Sequence, residues 1–495
     1  MQEERIQEKL PEIYASGKLG IAPGKLKGDV LVPQSKSAAH RALIMAFLSG
    51  NIDLAKIDVT HVSDDIKATK RALIKMGEAL AAEGKGLSAS HVASADDQEE
   101  RELHREGSHP YREGPHPSEP IEIDCKESGS TLRFLIPLAA VLGIPTKFIG
   151  SGRLPQRPIK EYEGVFAGSG AKMQYLDQTG LSLPLLITGK MRSGEYSLPG
   201  NVSSQYISGL LMALSAADGA SRLTLTTDLE SRPYVDMTCE VMRAFGVEVK
   251  EQKNDREGEE AISGYSLSGE NRPDREEAYE VEADYSQAAF WLVADYIGSE
   301  VNLKNLPKST AQGDCAIVDL LSGLRETGKK NDEAGKTAAS PDREIFEMDA
   351  RDVPDLVPVF AIAAAATNCI TKIVHAERLR IKESDRIAST SAMLTVLGIE
   401  NTITEDGIEI VGRSYIGAAQ EKETDITTEA GDKCFAGGTV DSCKDHRLVM
   451  AAAIAATRAE DTVWIKDPVA VEKSYPAFFE DYINLGGKID GINVG

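Results

Sequence analysis

Six stretches of the chain share one pattern, in which a short polar turn runs directly into an apolar segment long enough for a helix. In the first copy, Ser35, Lys36 and Ser37 lie just before the apolar residues 42–48. A serine at such a turn can accept hydrogen bonds from the free amides of the first helical turn. The other five turns lie at residues 127–133, 201–205, 284–287, 352–355 and 444–447. The recurrence predicts one supersecondary unit used six times.

A second marker accompanies the first, namely a glycine between an apolar helical pattern and a strand-like run. Glycine readily adopts the left-handed conformation that ends many helices. Each unit is therefore predicted to hold two helices with strands between them, and the chain is predicted to be an α/β protein. The six markers are Gly77, Gly170, Gly246, Gly328, Gly398 and Gly486.

Length and charge limit the possible functions. A chain of 495 residues is too long for one hydrophobic core, so we expect two domains. Its net charge of −23 disfavours broad contact with nucleic acid or with an anionic membrane. The first residues are charged, and the apolar runs are shorter than the roughly 20 residues that span a bilayer. We therefore expect a cytoplasmic protein.

No metal or disulfide framework is predicted. The six cysteines include no Cys-x-x-Cys pair, so we expect free thiols and neither a zinc site nor a disulfide framework. Four polar, glycine- or proline-rich stretches are predicted to be solvated insertions, at residues 91–120, 251–277, 325–342 and 418–438.

Basic residues in two segments suggest an anionic ligand. Lys36 and Arg41 would add positive charge at the start of a helix, where the free amides already favour an anion. If a helix opens at Lys382, that residue and Arg386 share one face, with Glu383 beside them. The plainer interpretations are an ordinary capped helix in the first case and a salt-bridged helix start in the second.

Two carboxylates stand at these turns and could transfer protons. Asp355 and Glu383 are the best placed in the sequence for general acid–base work. Surrounding cations would hold both groups ionised. Burial, or the negative charge of a bound substrate, would have to raise their proton affinity.

Nine motifs in order resemble the 5-enolpyruvylshikimate-3-phosphate synthase (3-phosphoshikimate 1-carboxyvinyltransferase) family. The resemblance covers nearly the whole chain outside the four polar stretches. It implies transfer of the enolpyruvyl group of phosphoenolpyruvate to the 5-hydroxyl of shikimate 3-phosphate, with release of phosphate, in aromatic amino-acid biosynthesis. The motifs lie at residues 35–41, 127–133, 152–158, 200–205, 231–234, 354–355, 382–386, 445–447 and 472–476.

The resemblance also implies a fold. It has two similar α/β domains, each of three βαβαββ units around a pseudo-threefold axis, in an inverse α/β barrel-like arrangement with the active site in the interdomain cleft. The first domain would comprise residues 1–32 and 283–495, and the second residues 33–282. The crossovers would lie near 32–33 and 282–283.

Site residues follow from the same resemblance. The shikimate 3-phosphate contacts would be Lys36, Ser37, Arg41, Ser203, Ser204, Gln205, Ser231, Tyr234, Asp355 and Lys382. The phosphoenolpyruvate contacts would be Lys36, Gly129, Arg153, Gln205, Arg386, Arg447 and Lys473. Asp355 would assist removal of the hydroxyl proton, and Glu383, with Lys473 or Lys36, would protonate the methylene carbon. Arg378 stands where the family often has an asparagine.

The resemblance implies no metal, nucleotide or other cofactor, because a C–O bond and not a P–O bond breaks. Its partners would be the two small substrates, without nucleic acid or membrane, and we expect a monomer. Members of the family commonly bind glyphosate beside the phosphorylated shikimate.

Two alternatives stay open. The related enolpyruvyl transferase that acts on UDP-N-acetylglucosamine shares the fold but usually carries a reactive cysteine in the loop that here spans residues 150–157, which has none. A non-catalytic sugar-phosphate-binding protein would leave Asp355 and Glu383 unexplained, since carboxylates repel an anionic ligand.

Overall fold

In a computed structural model, the chain folds into two compact units. Unit 1 comprises Met1–Pro33 and Ala283–Gly495, and unit 2 comprises Gln34–Glu282. The structure describes residues 2–57, 62–84, 119–256, 259–270, 272–413 and 433–490.

Unit 2 alternates short strands and helices. Its helices are α2 (Lys36–Leu48), α3 (Asp64–Ala82), α4 (Gly129–Leu142), α5 (Glu161–Phe166), α6 (Ser204–Leu214) and α7 (Arg232–Ala244). Its strands are β3 (Ala55–Lys56), β4 (Ile121–Asp124), β5 (Thr146–Ile149), β6 (Ala171–Tyr175), β7 (Leu185–Gly189), β8 (Glu195–Leu198), β9 (Ser221–Leu225), β10 (Lys250–Arg256), β11 (Glu259–Leu267) and β12 (Tyr279–Glu280).

Unit 1 is built from both ends of the chain. Its helices are α1 (Gln2–Ala15), α8 (Tyr285–Tyr296), α9 (Ile317–Glu333), α10 (Val357–Ala365), α11 (Arg386–Val396), α12 (His446–Ala456) and α13 (Phe478–Asn484). Its strands are β1 (Lys18–Ala22), β2 (Lys27–Val30), β13 (Glu300–Leu303), β14 (Ile345–Asp349), β15 (Ile370–Val374), β16 (Asn401–Ile403), β17 (Ile408–Val411), β18 (Gly438–Asp441), β19 (Val463–Lys466) and β20 (Lys488–Ile489).

Four sheets repeat one topology, which confirms the α/β prediction. In each, two parallel strands joined through a helix are followed by two antiparallel strands, in the orders β4-β5-β7-β6, β8-β9-β11-β10, β14-β15-β17-β16 and β18-β19-β1-β20. In the last sheet, β1 occupies the third place and pairs with β19 and β20. Two further parallel pairs, β2 with β13 and β3 with β12, resemble the first half of the same sheet.

All six predicted helix starts are confirmed. The helices that follow the polar turns, namely α2, α4, α6, α8, α10 and α12, are lined almost entirely by buried residues. Their apolar residues cover the whole circumference, which is typical of a helix enclosed by other elements of its own unit.

Two of the six predicted helix ends are wrong. Gly77 lies inside α3, which continues to Ala82, and Gly328 lies inside α9, which continues to Glu333. A Cβ on Gly328 would lie 2.6 Å from the Thr367 side chain, so this glycine permits close packing and does not end the helix. The other four markers each carry a glycine with positive φ after a helix.

The predicted insertions have different outcomes. Residues 85–118 and 414–432, which make up most of two of them, lie outside the described residues. The prediction of solvated hairpin insertions is wrong for part of the other two. Strand β11 belongs to a four-stranded sheet and buries Tyr265, and residues 325–333 continue helix α9. Among the described residues, no helix is long and apolar enough to cross a membrane.

Candidate active site

Arg386 is the centre of a charged cluster in unit 1. It is the first residue of α11, and its side chain is only 1% exposed. Its Nε donates to Asp445 Oδ2 at 2.8 Å, its Nη1 to Asp355 Oδ1 at 2.8 Å and its Nη2 to Glu383 Oε2 at 2.6 Å. Burial opposes the charge on Arg386, but the three carboxylates outweigh burial and raise the pKa of the guanidinium. One buried cation therefore holds both predicted acid–base carboxylates.

Asp355 bonds to several cations. Its Oδ2 accepts from Arg447 Nη2 at 2.7 Å, and Lys382 Nζ lies 3.8 Å from its Oδ1. Burial raises the pKa of this carboxyl, but the charges of Arg447, Lys382 and Arg386 outweigh it and hold the pKa well below its usual range. In this arrangement Asp355 is a carboxylate that accepts protons poorly.

Asp445 ties the cluster to the start of α12. It is fully buried, and its Oδ1 caps the helix by accepting from the Arg447 backbone N–H at 3.0 Å. Its Oδ2 accepts from Arg386 Nε and from Ser384 Oγ. Because one carboxylate fixes both the helix start and Arg386, Arg447 and Arg386 are oriented together.

The predicted helix start at Lys382 is wrong, although the predicted proximity is right. Residues 377–381 form a 3-10 helix, and α11 begins only at Arg386, capped by Asp385. Lys382 lies in the segment between the two and still reaches Asp355. Lys473 lies at the end of the 3-10 helix Pro468–Lys473, and its Nζ donates to the backbone carbonyl of Lys444 at 2.9 Å, just before Asp445 and α12.

Arg378 contacts backbone. Its Nη2 donates to the carbonyl oxygen of Arg351 at 2.6 Å.

Unit 2 holds a second group of predicted residues, at the start of α2. Lys36 Nζ lies 2.8 Å from Asp65 Oδ2. Arg41 is buried, and it donates to Thr238 Oγ1, to Ser208 Oγ and to the backbone carbonyls of Ser37 and Tyr234. Burial lowers its pKa to about 10.

Gln205 is held between two residues of α4. Its Oε1 accepts from Arg133 Nη1 at 2.6 Å, and its Nε2 donates to Ser130 Oγ at 2.9 Å. Arg133 is 4% exposed and also donates to the carbonyl of Pro158. Throughout the described part of unit 2, neither Arg41 nor Arg133 contacts a carboxylate. A buried arginine with only neutral partners leaves its charge available to an anion.

Gly129 opens helix α4 directly beneath a guanidinium. A Cβ built on Gly129 would lie 2.7 Å from Arg157 Nη1 and 2.8 Å from Arg157 Cζ. Arg157 is 8% exposed, whereas Arg153, the residue that the sequence favoured, is exposed. The structure therefore places Arg157 against Gly129.

The remaining predicted residues of unit 2 lie at the starts of helices. Ser203 caps α6 by accepting from the Gln205 backbone N–H at 3.3 Å, and Ser204 is the first residue of that helix and is buried. Ser231 precedes α7 with a φ of 55°, the left-handed region that a serine seldom adopts.

The two units cap their buried helices with different chemistry. In unit 2, α2, α4 and α6 begin at Ser35, Ser128 and Ser203, each of which accepts from a backbone amide. In unit 1, Asp284 and Asp445 cap α8 and α12, and α10 has no side-chain cap. A serine cap leaves the positive end of the helix dipole without a counter-charge, while an aspartate neutralises it. The serine caps of α2, α4 and α6 therefore add no negative charge to the starts of these helices.

Among the described residues, no group of three or more His, Cys, Asp or Glu side chains has the arrangement that could hold a metal ion. The two clusters bring together carboxylates, lysines, arginines and helix amides.

Comparison with known proteins identifies the family. The model of the family EPSP synthase (3-phosphoshikimate 1-carboxyvinyltransferase) matches residues 21–482. The chain belongs to the EPSP synthase family. The match begins within β1, ends within α13 and includes every residue of both clusters.

Curated relatives share this family assignment. The 3-phosphoshikimate 1-carboxyvinyltransferase of Clostridium beijerinckii is 37% identical over 97% of this chain and 100% of its own length. That of Clostridioides difficile is also 37% identical, with the same coverage. A solved EPSP synthase from Acinetobacter baumannii shares the fold, with a TM-score of 0.65 and 24% identity over 96% of this chain and 99% of its own.

Some residues of this EPSP synthase family member were not singled out from its sequence. Arg133, Arg157 and Asp445 each stood inside a motif, but their burial and partners depend on contacts with distant segments. Asp314 stood in no motif, and nothing in the sequence marks it as buried beside the cluster around Arg386.

Proposed function

We propose that this chain transfers the enolpyruvyl group of phosphoenolpyruvate to the 5-hydroxyl of shikimate 3-phosphate and releases phosphate. Besides the family match, one structural observation supports a catalytic role: Asp355 and Glu383 both bond to the buried Arg386. A protein that only bound anions would gain nothing from two carboxylates at its cations.

Anion binding would activate these carboxylates. Phosphoenolpyruvate carries a carboxylate and a phosphate, which match the forked donors of Arg386 and Arg447. When these anions take over the arginine N–H groups, Asp355 loses the cations that hold its pKa low, and it gains a negative neighbour. Both changes raise its proton affinity, so it becomes able to accept the proton of the 5-hydroxyl.

The proton and bond changes then balance over two steps. The 5-hydroxyl oxygen bonds to C2 of phosphoenolpyruvate, Asp355 takes the hydroxyl proton, and Glu383, with Lys473 or Lys36, supplies a proton to the methylene C3. In the second step C3 loses a proton, the C2–O bond to phosphate breaks, and the double bond is restored. The same groups act in reverse in this elimination.

Unit 2 supplies groups that would bind the second substrate, shikimate 3-phosphate. Arg41, Gln205, the serines at the starts of α2, α6 and α7, and Tyr234 suit a phosphorylated polyol, because they combine neutral hydrogen-bonding groups with buried positive charge. Lys36 and Gly129, with the arginines beside Gly129, would bind phosphoenolpyruvate. The monomeric state and the cytoplasmic location stay predictions.

The test mixes the protein with both substrates and follows them by phosphorus NMR. We expect inorganic phosphate and a product that keeps the 3-phosphate to appear in equal amounts. Replacing shikimate 3-phosphate by UDP-N-acetylglucosamine should give no phosphate. Binding of both substrates without phosphate release would favour the non-catalytic alternative, and release with the UDP-sugar would favour the related transferase.

A further inference from the structure

A buried network of polar side chains joins three helices of unit 2. It runs from His40 in α2 through Thr69 in α3 to Thr131 and Ser128 at the start of α4. His40 Nδ1 lies 2.8 Å from Thr69 Oγ1, which lies 2.7 Å from Thr131 Oγ1. Thr131 Oγ1 donates to Ser128 Oγ at 2.7 Å. None of the four side chains is more than 1% exposed, and the proposed chemistry uses none of them.

The order of the protons in this His40–Ser128 network follows from counting donors. Thr131 has one hydroxyl hydrogen, and it goes to Ser128 Oγ or to the Asp65 carbonyl oxygen at 3.4 Å. The hydrogen in the contact between Thr69 and Thr131 therefore comes from Thr69. Thr69 Oγ1 then accepts from His40, whose ring carries its hydrogen on Nδ1. The network donates in one direction, towards the start of α4.

Ser128 receives two hydrogen bonds at the cap of α4. Its Oγ accepts from the Thr131 backbone N–H at 3.2 Å and from the Thr131 hydroxyl at 2.7 Å. These bonds occupy both lone pairs of the oxygen and fix the serine in the rotamer that caps the helix. The backbone N–H groups of Gly129 and Ser130 come before this capped amide, among the first four of the helix, which have no intrahelical acceptor. The network therefore fixes the helix start that presents these two amides.

Thr131 also connects the start of α4 to Lys36. Its Oγ1 lies 3.4 Å from the Asp65 backbone carbonyl oxygen, and the Asp65 carboxylate lies 2.8 Å from Lys36 Nζ. Gly129 starts α4 two residues before Thr131. Two of the residues proposed to contact phosphoenolpyruvate, Lys36 and Gly129, are thus linked through one buried threonine.

A purely structural role explains only part of the network. Apolar side chains of similar shape could pack α2, α3 and α4 together, because replacing both partners of a buried hydrogen bond in this way costs little stability. Hydroxyl groups are costly to bury unless they are paired, but once paired they fix the direction of each group. Such control of direction has a use at a helix start whose amides must meet an anion.

We propose that Thr131, acting through the His40–Ser128 network, is a positioning residue for phosphoenolpyruvate at the start of α4. The network keeps Ser128 in its capping rotamer and holds the Gly129 and Ser130 amides ready for an anionic group of the substrate. A site that is oriented before binding has less to order when the ligand arrives. This inference rests on the proposed function, since it specifies how the same site is held in place.

The kinetic test removes the Thr131 hydroxyl while keeping the shape of the side chain. In Thr131→Val, KM for phosphoenolpyruvate should rise about three- to tenfold, the factor that the loss of one hydrogen bond allows. The KM for shikimate 3-phosphate and kcat should each change by less than about twofold, because the network acts on binding of the other substrate. Thr131→Ser keeps the hydroxyl and should restore KM for phosphoenolpyruvate.

Thr146→Val is the matched control. Thr146 is also a fully buried threonine of unit 2, and its Oγ1 donates to the Ile144 carbonyl oxygen at 2.9 Å, outside the network. Its replacement should lower the melting temperature and leave KM for phosphoenolpyruvate unchanged. A purely structural role predicts this same result for Thr131→Val. That result, or a KM that Thr131→Ser does not restore, overturns the proposal.

Thr69→Val interrupts the network one step further from α4, and it decides the matter if Thr131→Val does not fold. Thr131 then keeps its bond to Ser128 but loses the bond from Thr69, so KM for phosphoenolpyruvate should rise by a smaller factor. The double variant should be little worse than Thr131→Val alone. A normal KM in Thr69→Val, or factors that multiply in the double variant, would show that the two hydroxyls do not act as one network.

A measurement without substrate tests the proton order. Burial and the charges of Lys36 and Arg41 hold the pKa of His40 well below its usual range, so its ring is neutral at about pH 7. In nitrogen NMR of histidine-labelled protein, the signals lost in His40→Gln should show a hydrogen on Nδ1 and none on Nε2. A hydrogen on Nε2 would overturn the network as described. If the hydrogen is on Nδ1 but the unmodified protein releases no phosphate, the proposed function fails and the proton order of the network stands.

Discussion

The Arg157 guanidinium lies where a side chain on Gly129 would have to go, since a Cβ there would approach Nη1 to 2.7 Å. No side chain larger than hydrogen fits unless the guanidinium moves. An alanine at the first residue of α4 would therefore displace the Arg157 guanidinium, which is the flexible end of its side chain.

We expect Gly129→Ala to weaken phosphoenolpyruvate binding by about tenfold or more and glyphosate binding more severely, because the added methyl pushes Arg157 aside and narrows an anion pocket. Glyphosate is the longer molecule, so its affinity should fall more than that of phosphoenolpyruvate. Shikimate 3-phosphate should bind normally. Calorimetry of each ligand would measure these effects.

Gly164→Ala is the control, because no atom lies within 4 Å of a Cβ at Gly164 in helix α5. In a background with Arg157→Gln, Gly129→Ala should have little further effect if the methyl acts through the guanidinium. Normal glyphosate binding by Gly129→Ala would mean that the pocket lies elsewhere.

Asp355→Asn and Glu383→Gln should each lower kcat by at least about a hundredfold, with substrate binding largely intact, because each removes a proton-transfer group. Rapid-quench kinetics and calorimetry would measure the two quantities. The controls are Asp352→Asn and Glu377→Gln, which change exposed carboxylates in the same two segments. Turnover close to normal in either test variant would remove that residue from the mechanism.

Arg133 and Gln205 should behave as a unit. Because Arg133 Nη1 donates to Gln205 Oε1 at 2.6 Å, we expect Arg133→Ala and Gln205→Ala each to weaken substrate binding, and the double variant to be little worse than the worse single one. Ser130→Ala removes only the second bond of Gln205 and should have the smallest effect. Additive losses would show that Arg133 and Gln205 act separately.

Shikimate 3-phosphate and glyphosate should strengthen each other's binding by the same factor, because the coupling between two ligands is reciprocal. Titration calorimetry of each ligand, alone and with the other present, would show whether the two affinities rise by the same factor. Equal glyphosate affinity with and without shikimate 3-phosphate would contradict it.

The helix starts could be predicted because their information is local. A serine or aspartate before an apolar run specifies a cap and a buried helix within about ten residues. The ends of α3 and α9 could not be predicted in this way. Gly328 stays helical because Thr367, far along the chain, packs against it, and a sequence pattern does not show that neighbour.

The same limit applies to the cluster around Arg386. Sequence reasoning named Asp355, Glu383, Arg386 and Arg447, but it could not show that the carboxylates already occupy the arginine N–H groups. Asp314 accepts a hydrogen bond from Ser286, and its burial is visible only in the folded chain.

The position of β1 determines the order in which the protein can be completed during synthesis. This strand lies between β19 and β20, which are made last. A ribosome therefore releases every residue of unit 2 while the first strand of unit 1 still lacks both neighbours. Chains generally fold domain by domain as they emerge, so unit 2 should form first, and the early strand edge of unit 1 stays exposed to chaperones or aggregation until β19 and β20 have been synthesised.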